Sequence, residues 1–398
     1  MQGSSSGPIS LNVLTSKNTG ELGPPCRAER VAVAIDFHGG ATDPLEPELG
    51  NASGGREMKK NLFFITLLIF AITVTACGEE ENRTITLLTH DSFWISDEVL
   101  QEFTDQTGTK VELQMAGDTG QLLASAILTA SNPAADVIFG IDNTFLQRAL
   151  DADIFSTYES PSLRHVPEEI QVDSKHRVTP IDFGDVCINY WIDSFDSDLP
   201  APESLEDLID PQYYGQLVVQ NPETSSPGLA FLLATIAEYG EDWETWWAGL
   251  RDNGVTVTSG WEDAYEGEFV AGGGDHPLVV SYASSPPAEV IYSETPISSP
   301  PTGVLTDTCF RQIEFAGVVN GTKHQETSEA LIDFMLSKKF QEDIPNSMLM
   351  FPASTDADLP KIFSDFAEVV ENPYMLAPDY IEENRNDWTE RWTEIVLR

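Results

Sequence analysis

The chain has 398 residues, of which 65 are acidic and 21 are basic, so its formal net charge is −44 at pH 7. Its content of 41% hydrophobic and 10% aromatic residues is normal for a globular protein and excludes wholesale disorder. Nucleic acid and anionic membrane surfaces would repel such a body, because binding them needs clustered Lys and Arg. The charge indicates a surface adapted to high salt, where self-repulsion is screened, and attraction of cationic ligands is compatible with that interpretation.

Residues 58–76 have the three parts of a secretory signal peptide. Two lysines precede an apolar run of about 15 residues, which is shorter than the roughly 20 residues that a membrane-spanning helix needs. The run ends in Val74-Thr75-Ala76-Cys77, which resembles the bacterial lipobox. We therefore expect Cys77 to be lipidated and to begin a polar tether over residues 77–83. A transmembrane anchor is the alternative.

Residues 1–57 are interpreted as an upstream leader that a misplaced gene start adds to the protein. A signal peptide must lead the chain, so Met58 is the expected initiator and the leader is predicted to be disordered. The run Gly3-Ser4-Ser5-Ser6-Gly7 formally matches the nucleophile elbow of serine hydrolases. That elbow requires a preceding strand and a following helix. The sequence of the leader indicates neither, so we interpret the match as chance.

Strands and helices alternate from Ile85 onwards. Such an order predicts a parallel sheet with helices on both faces and ligands beyond the carboxyl ends of the strands. The loops at His90–Phe93 and Asp142–Asn143 both lie at those ends. The predicted elements are a strand over 85–88, a helix capped by Ser96 and ended by Gly108, a strand over 111–115, a helix over 120–130 and a strand over 135–140.

A second α/β unit is predicted to begin near Asp185. Its elements are a strand over 216–220, a loop over 221–228, a helix over 229–239 and a strand over 278–282, followed by a strand over 313–319 and helices over 328–337 and 377–398. Trp388 and Trp392 lie four residues apart in the last helix, which favours core packing over ligand contact. The predicted domains are lobe 1 (84–184 and about 308–345), lobe 2 (185–307) and a C-terminal helical segment (346–398) that closes the lobes.

Two cysteines remain once Cys26 in the leader and the lipidated Cys77 are set aside. Cys187 and Cys309 belong to an exported chain, so we expect a disulfide between them, with a free buried pair as the alternative. Each lies near a proposed crossing between the two units. The bond would then pin the hinge.

Five short runs of the sequence match a known family in order and spacing. From Thr84 to Arg398 the chain resembles the thiamine-binding proteins of thiamine ABC importers and the wider class that carries polyamines and ferric iron. The resemblance implies an α/β, two-lobed type II periplasmic-binding-protein fold, in which each lobe is a sheet flanked by helices and a ligand cleft lies at the hinge. The runs are Thr89-His90-Asp91-Ser92-Phe93, Gly140-Ile141-Asp142-Asn143, Asn221-Pro222-Glu223-Thr224-Ser225-Ser226-Pro227-Gly228, Thr256-Val257-Thr258-Ser259-Gly260-Trp261-Glu262-Asp263-Ala264-Tyr265 and Ser281-Tyr282-Ala283-Ser284-Ser285-Pro286.

The resemblance also implies a set of ligand-binding residues. Thiamine carries a thiazolium cation, so rings from Trp261 and Tyr282 and the charge of Asp142 suit it. Helix caps and core packing are the alternatives for these residues. The Thr224–Ser226 loop enters a helix, so its N–H groups could hold a phosphate or a hydroxyl. The full predicted set is His90, Asp91, Asp142, Asn143, Ser225, Ser226, Trp261, Tyr282, Ala283, Ser284, Ser285 and Pro286.

The chain departs from the family at three positions. It has Ala288 and Leu349 where family members have a tyrosine and a tryptophan, and His90 where they have a tyrosine. The tyrosine and the tryptophan that Ala288 and Leu349 replace would sandwich the pyrimidine of thiamine. Compensation is expected from aromatic residues elsewhere in the chain, namely Phe93, Trp94 or Tyr292.

The predicted function is that of an exported, monomeric solute-binding lipoprotein on the outer face of the cell membrane or in the periplasm. It would deliver thiamine or a thiamine phosphate to an ABC permease and its ATPase, with no cofactor, metal or nucleic acid. An enzyme is disfavoured because the six histidines show no zinc spacing and His90-Asp91 has no accompanying nucleophile. A polyamine or other organic cation is the alternative cargo. Ferric iron fits less well, since Tyr213-Tyr214 is the only adjacent tyrosine pair, and a structural surface lipoprotein is a further alternative.

Overall fold

The computed structural model describes residues 83–398. The predictions for the leader, the Gly3–Gly7 run, the signal peptide, the lipidated Cys77 and residues 77–82 of the tether lie outside the described residues. Among those that are described, no helix has the length and apolar character needed to cross a membrane.

Nine strands of residues 83–398 form one mixed sheet. They are β1 (Arg83–Thr89), β2 (Thr109–Met115), β3 (Val137–Asp142), β4 (Thr179–Trp191), β5 (Leu217–Gln220), β6 (Thr256–Thr258), β7 (Leu278–Tyr282), β8 (Thr302–Val318) and β9 (Phe351–Pro352). The strand order is β2-β1-β3-β8-β4-β7-β5-β6, and β9 pairs with β4. The spatial order of the strands differs from their order along the chain, because parallel neighbours are connected by helical crossovers.

Ten α-helices cover the sheet in the described part of the chain. They are α1 (Asp97–Thr107), α2 (Thr119–Thr129), α3 (Leu146–Asp151), α4 (Ser226–Tyr239), α5 (Trp243–Asp252), α6 (Pro286–Ile291), α7 (Gln325–Met335), α8 (Lys338–Ser347), α9 (Lys361–Phe366) and α10 (Pro378–Val396). A short π-helix (Asp263–Glu268) follows β6. Helix α1 begins after Ser96 and ends at Gly108, whose φ of 68° is left-handed and suits a glycine, as predicted. The Ser96 side chain makes no capping hydrogen bond, because its hydroxyl donates to Asp343 Oδ1 at 2.9 Å instead, so the predicted cap is wrong.

Each half of the sheet has a parallel core. In the first half β1 lies between β2 and β3 and is parallel to both, which confirms the predicted β-α-β-α-β unit. In the second half β5 lies between β6 and β7 and is parallel to both. Helix α4 is buried throughout its first ten residues, because its sequence is apolar on all sides and other elements pack around it.

The two halves are joined by a pair of long antiparallel strands. At one end of this pair β8 pairs with β3, and at the other end β4 pairs with β7. The predicted lobe boundaries at 184/185 and 307/308 fall inside these two strands. Sequence patterns predicted only the end of β8 and no part of β4. Between them a disulfide joins Cys187 to Cys309, with a Cα–Cα distance of 4.6 Å.

The C-terminal helix contacts both halves, and we call this contact the C-terminal clamp (α10 with α3 and α5). Trp392 is fully buried, and its ring lies 5.5 Å from that of Trp247 in α5. Arg148 of α3 lies 3.2 Å from Glu382. The predicted packing role of Trp392 is confirmed, and Trp388 is half-buried against the same core.

Candidate functional site

A cleft of about 490 Å³ lies where the two halves face each other, at the carboxyl ends of the parallel strands. Six predicted ligand residues line it, namely His90, Asp91, Ser226, Trp261, Tyr282 and Ser285. The other six, Asp142, Asn143, Ser225, Ala283, Ser284 and Pro286, are buried outside the lining. The direct contact of any of them with a ligand stays a prediction.

Trp261 is the best-supported ring in the cleft. It stacks on Tyr265 of the π-helix, with ring centroids 4.9 Å apart and planes 18° apart. Its indole Nε1 donates to Ser281 Oγ at 3.0 Å, and that oxygen lies 2.9 Å from Ser285 Oγ. The stack and the hydrogen bond together fix the ring, so one face is available to a flat ligand without further ordering cost.

Tyr282 ends β7 and completes the aromatic surface. Its hydroxyl donates to Gln312 Oε1 at 3.1 Å, which orients the ring over β8. Gly184 lies beneath it, and a Cβ there would meet Tyr282 and Met350 at 3.0 Å. A glycine at this point of β4 therefore lets the ring lie close to the sheet.

His90 follows β1 and lies at the floor of the cleft. Its Nε2 is 3.2 Å from Glu314 Oε1 on β8. Burial lowers the pKa of the imidazole, but the surrounding carboxylates, Glu314 foremost, raise it by more, so the net shift is upward. Gly140 has a φ of 93°, and a Cβ there would lie 2.2 Å from the imidazole, so the ring depends on this glycine.

Asp142 and Asn143 act within the protein rather than at the cleft surface. Asp142 Oδ1 accepts from the hydroxyl of Thr144 at 2.7 Å and from the N–H of Phe145 at 3.2 Å, which closes the turn that leads into α3. Its Oδ2 has no hydrogen-bond partner among residues 83–398. Burial raises the pKa of Asp142 to about 7 against the opposing bond from Thr144. Asn143 Oδ1 accepts from Ile313 N at 2.8 Å and so ties β3 to β8.

Three buried carboxyl groups lie side by side on neighbouring strands. Glu314 of β8 is in register with Asp142 of β3 on one side and with Asp182 of β4 on the other. Burial, and then the charge of Glu314, raise the pKa of Asp182 well above its usual range. Sequence analysis missed Asp182 and Glu314, although a glutamate inside the apolar run 313–319 was an available signal.

Asp118 joins the two lobes across the cleft, and sequence analysis also missed it. It caps α2 by accepting from Thr119 N at 2.7 Å. The same carboxylate accepts from Ser226 N at 3.4 Å and, through Oδ2, from Trp261 N at 3.2 Å, both in the second half. Burial raises the pKa of Asp118. The side chain of Ser225 and the N–H of Thr119 are the foremost groups that oppose the shift, and they do not cancel it. The signal was its position directly before a predicted helix and beyond the end of β2.

A backbone contact lies beside Asp118. Gly120 N donates to Thr224 O at 3.1 Å, and a Cβ on Gly120 would lie 2.7 Å from Glu223 O. We call these interactions the latch (Asp118 and Gly120 with Thr224, Ser226 and Trp261). The close approach of two backbones at this point requires a glycine.

The expected N–H donors of the Thr224–Ser226 loop are already engaged. Thr224 N and Ser225 N donate to Asn221 O at 3.2 and 3.0 Å. Ser226 N donates to Asp118, and Gly228 N donates to Ser225 Oγ at 3.5 Å. The prediction that this loop offers open N–H groups to a phosphate is therefore wrong for this structure.

The cleft is acidic and partly apolar. The aromatic residues expected to compensate for the family's missing rings do line it, with Phe93 buried and Trp94 and Tyr292 each 56% exposed. Leu349 also lines the cleft, whereas Ala288 is buried outside it. Five carboxylates belong to the lining: Asp91, Asp118, Glu262, Glu266 and Glu314.

Known proteins resemble this chain over most of its length. A thiamine-binding periplasmic protein of Salmonella typhimurium is 30% identical over a match that covers 79% of this chain and 94% of that protein. One from Brucella suis is 29% identical, covering 85% of this chain and 99% of that protein. Among solved structures, a periplasmic thiamin binding protein superposes with a TM-score of 0.71 at 25% identity, covering 81% of this chain and 98% of that one. A ferric binding protein from Campylobacter jejuni, at 20% identity and a TM-score of 0.65, shares the fold.

The family model for bacterial extracellular solute-binding proteins matches residues 132–367, which is more than half of the chain. Solved structures that superpose on this chain include type II periplasmic binding proteins. Their fold is the α/β type II arrangement that the sequence runs predicted. The chain therefore belongs to the family of bacterial extracellular solute-binding proteins.

Proposed function

We propose that this chain is an extracytoplasmic lipoprotein that binds thiamine, or a thiamine phosphate, and delivers it to an ABC importer without converting it. The observation that carries the proposal is the combination of supported rings and carboxylates in one cleft. Trp261 and Tyr282 line the same space as Asp118 and Glu314. Flat cations are recognised by ring faces together with nearby negative charge.

The relatives support thiamine as the cargo. Several proteins that match this chain over most of their length are named thiamine-binding periplasmic proteins. The lipid anchor is supported by the run that ends at Cys77, and the importer by membership of the solute-binding family. Intact-mass analysis of the protein extracted from membranes tests the anchor. A diacylglycerol adduct on a chain beginning at Cys77 is expected.

A polyamine is the second candidate, since an acidic cleft attracts any organic cation. Ferric iron is less well supported. Tyr213 is 3% exposed and donates its hydroxyl to Pro200 O at 2.8 Å, Tyr214 is exposed, and neither lines the cleft. In the described chain, no group of three or more His, Cys, Asp or Glu is placed to hold a metal ion.

Calorimetry on a soluble form that begins at Gly78 tests the cargo. The described residues 83–398 belong to one compact unit that contains every cleft-lining residue, so this form keeps the whole cleft. We expect thiamine to bind with a dissociation constant on the order of micromolar or tighter and to quench tryptophan fluorescence. Trp261→Ala should weaken binding by about tenfold or more, because a desolvated ring contributes roughly 1–2 kcal/mol to a stacked cation.

Two controls make the experiment decisive. Trp261→Phe keeps a ring and should retain most of the affinity, while Tyr214→Ala removes an exposed ring outside the cleft and should leave binding unchanged. Spermidine and ferric citrate are titrated in competition. Binding of spermidine without binding of thiamine would refute thiamine as the cargo and favour the polyamine.

A further inference from the structure

One basic side chain lies in the acidic lining of the cleft. Among the residues of 83–398 that form this lining, His90 is that side chain, and neither Lys nor Arg contributes to it. The imidazole Nε2 lies 3.2 Å from Glu314 Oε1. The ring is held there, because its centroid lies 5.7 Å from that of Phe139 and a Cβ on Gly140 would meet it at 2.2 Å. His90 therefore presents its charge to the space that a ligand would occupy.

Carboxyl groups face the imidazole from several elements. Glu314 approaches from β8, and Asp118 approaches from the residue before α2. Glu262, directly before the π-helix of the second half, interacts with the same ring. Behind Glu314 lie the buried carboxyls of the two strands that pair with β8. The full set is Asp91, Asp118, Asp142, Asp182, Glu262 and Glu314.

These carboxylates favour a proton on His90 in the ligand-free protein. Burial lowers the pKa of the imidazole, but Glu314 foremost, and then Asp118 and Asp91, raise it by more, so the net shift is upward. Tyr282, which also faces Glu314, stays neutral because burial raises the pKa of its hydroxyl well above the usual range. The imidazolium is therefore the positive charge that balances Glu314 when no ligand is bound.

We propose that the imidazolium of His90 holds the place of a cationic ligand in the ligand-free protein, and that binding of the ligand releases one proton from it. This inference rests on the proposed function and adds that thiamine uptake is linked to proton release. On binding, the Nδ1–H bond breaks and its proton goes to the buffer, while the neutral ring keeps the Nε2 proton that faces Glu314. The thiazolium replaces the imidazolium as the positive charge, so the total charge of the cleft is unchanged.

Acid should weaken the binding of a cation, because it restores the competing charge on His90. A bound cation repels the imidazolium and so lowers the pKa of His90 relative to the ligand-free protein. Between these two pKa values the affinity should rise with pH, by up to about tenfold per pH unit for one released proton. Above both values His90 is neutral with and without ligand, and the affinity should level off.

The test is calorimetric titration of the soluble form that begins at Gly78 with thiamine at about pH 6, 7 and 8. Each titration is run in PIPES and in Tris, whose different heats of ionisation reveal the number of protons released. We expect about half a proton or more to be released per thiamine at about pH 7. We also expect the affinity to rise by about threefold or more between about pH 6 and 7.

Substitutions at His90 identify the source of the proton. His90→Gln keeps an N–H donor for Glu314 but carries no charge, and His90→Tyr keeps an uncharged ring. We expect each variant to lose most of the proton release and most of the rise in affinity with pH. A merely structural role of His90 would lower the affinity without removing its dependence on pH. Thermal unfolding checks that the variants fold.

Two control variants should keep both the proton release and the pH dependence. Asp142→Asn removes a buried carboxyl whose pKa of about 7 lies in the same range. His165→Gln removes a histidine that is paired with Asp356 at 2.8 Å outside the cleft. The first control separates His90 from the carboxyl groups behind Glu314, and the second separates the cleft from other pairs of histidine and carboxylate.

The outcomes distinguish this inference from the proposed function. Thiamine binding without proton release, and with the same affinity at each pH, would overturn the inference and leave thiamine as the cargo. Unchanged proton release in His90→Gln and His90→Tyr, or its loss in Asp142→Asn, would overturn the assignment to His90. Proton release on binding of spermidine, with no binding of thiamine, would overturn the cargo but not the role of His90. Binding of neither cation would overturn both proposals.

Discussion

The two lobes meet at two junctions that are made of different chemistry. The latch is polar: Asp118 is half-buried, and its N–H donors in the second half, on Ser226 and Trp261, lie 3.4 and 3.2 Å away. The C-terminal clamp is largely apolar, with Trp392 fully buried against Trp247. Hydrogen bonds that water can replace contribute little net free energy, whereas a buried indole contributes several kcal/mol.

The difference indicates which junction opens. We expect the lobes to separate at the latch, which contains cleft residues, and to stay joined at the clamp, none of whose α10 residues lines the cleft. The disulfide also holds the lobes together permanently, because it ties the two long strands that run between them. Four predictions test this difference between the latch and the C-terminal clamp, beginning with the largest expected effect.

Removal of the disulfide should cost the most stability. Cys187 and Cys309 are 122 residues apart, so the bond restricts the unfolded chain by roughly 4–5 kcal/mol in the entropy model. We expect the double variant Cys187→Ser, Cys309→Ser to lose about that much free energy of unfolding in urea. The unaltered protein with reductant is the control and should match it. An unchanged urea midpoint would contradict the permanent link between the lobes.

Trp392→Ala should destabilise the protein by about 3–5 kcal/mol, because it leaves a large cavity against Trp247. Trp388→Ala, in the same helix but half-buried, should cost less. Thermal unfolding measures both. The comparison of the two junctions fails if Trp392→Ala abolishes thiamine binding but leaves the melting temperature unchanged, since the clamp would then belong to the moving side.

Gly120→Ala should weaken thiamine binding and leave stability nearly unchanged, the opposite of Trp392→Ala. Its Cβ would collide with the backbone at Glu223 and Thr224, so the latch cannot close, although each lobe remains intact. We expect thiamine binding to weaken by about tenfold or more with little change in melting temperature. Gly267→Ala is a matched control, because a Cβ there meets nothing within 4 Å. Equal affinities of the two variants would show that binding does not require a closed latch.

The last prediction concerns the pH dependence of stability. The folded pKa of Asp142 is about 7, above the ordinary 3.8, so the folded state holds a proton that the unfolded state has lost between these values. The contribution of Asp142 to stability is therefore complete below pH 3.8 and is lost as pH rises through 7, at up to about 1.4 kcal/mol per pH unit. Urea unfolding at about pH 5, 6, 7 and 8 measures this slope across the titration of Asp142.

Asp142→Asn provides the comparison for that slope. The amide keeps the acceptor for Thr144 and Phe145 but does not titrate. Between about pH 5 and 7, just below the folded pKa of Asp142, we expect the stability of the variant to decline less steeply than that of the unaltered protein. Parallel pH profiles would mean that Asp142 stays charged in the folded protein.

Local patterns were sufficient for much of the fold. The apolar runs and caps placed β1 to β3, α1, α2, α4 and α10 close to their observed bounds, because these signals act within a few residues. The cysteine count pointed to the Cys187–Cys309 pair, since no other partner remained. The runs that resemble the solute-binding family indicated where the cleft lies. Six of their residues do line it.

Only the tertiary structure decided how the cleft is charged and how the lobes meet. The lengths of β4 and β8 depend on pairing between residues more than a hundred positions apart, which no local pattern records. Asp118 reaches Ser226 across 108 residues, and Asp182 faces Glu314 only through strand register. The resemblance predicted that Asp142 contacts the ligand, whereas its burial behind the cleft lining and its bond to Phe145 follow only from packing. Side-chain identity follows from the sequence, but the environment that sets its charge and partners arises when distant segments pack together.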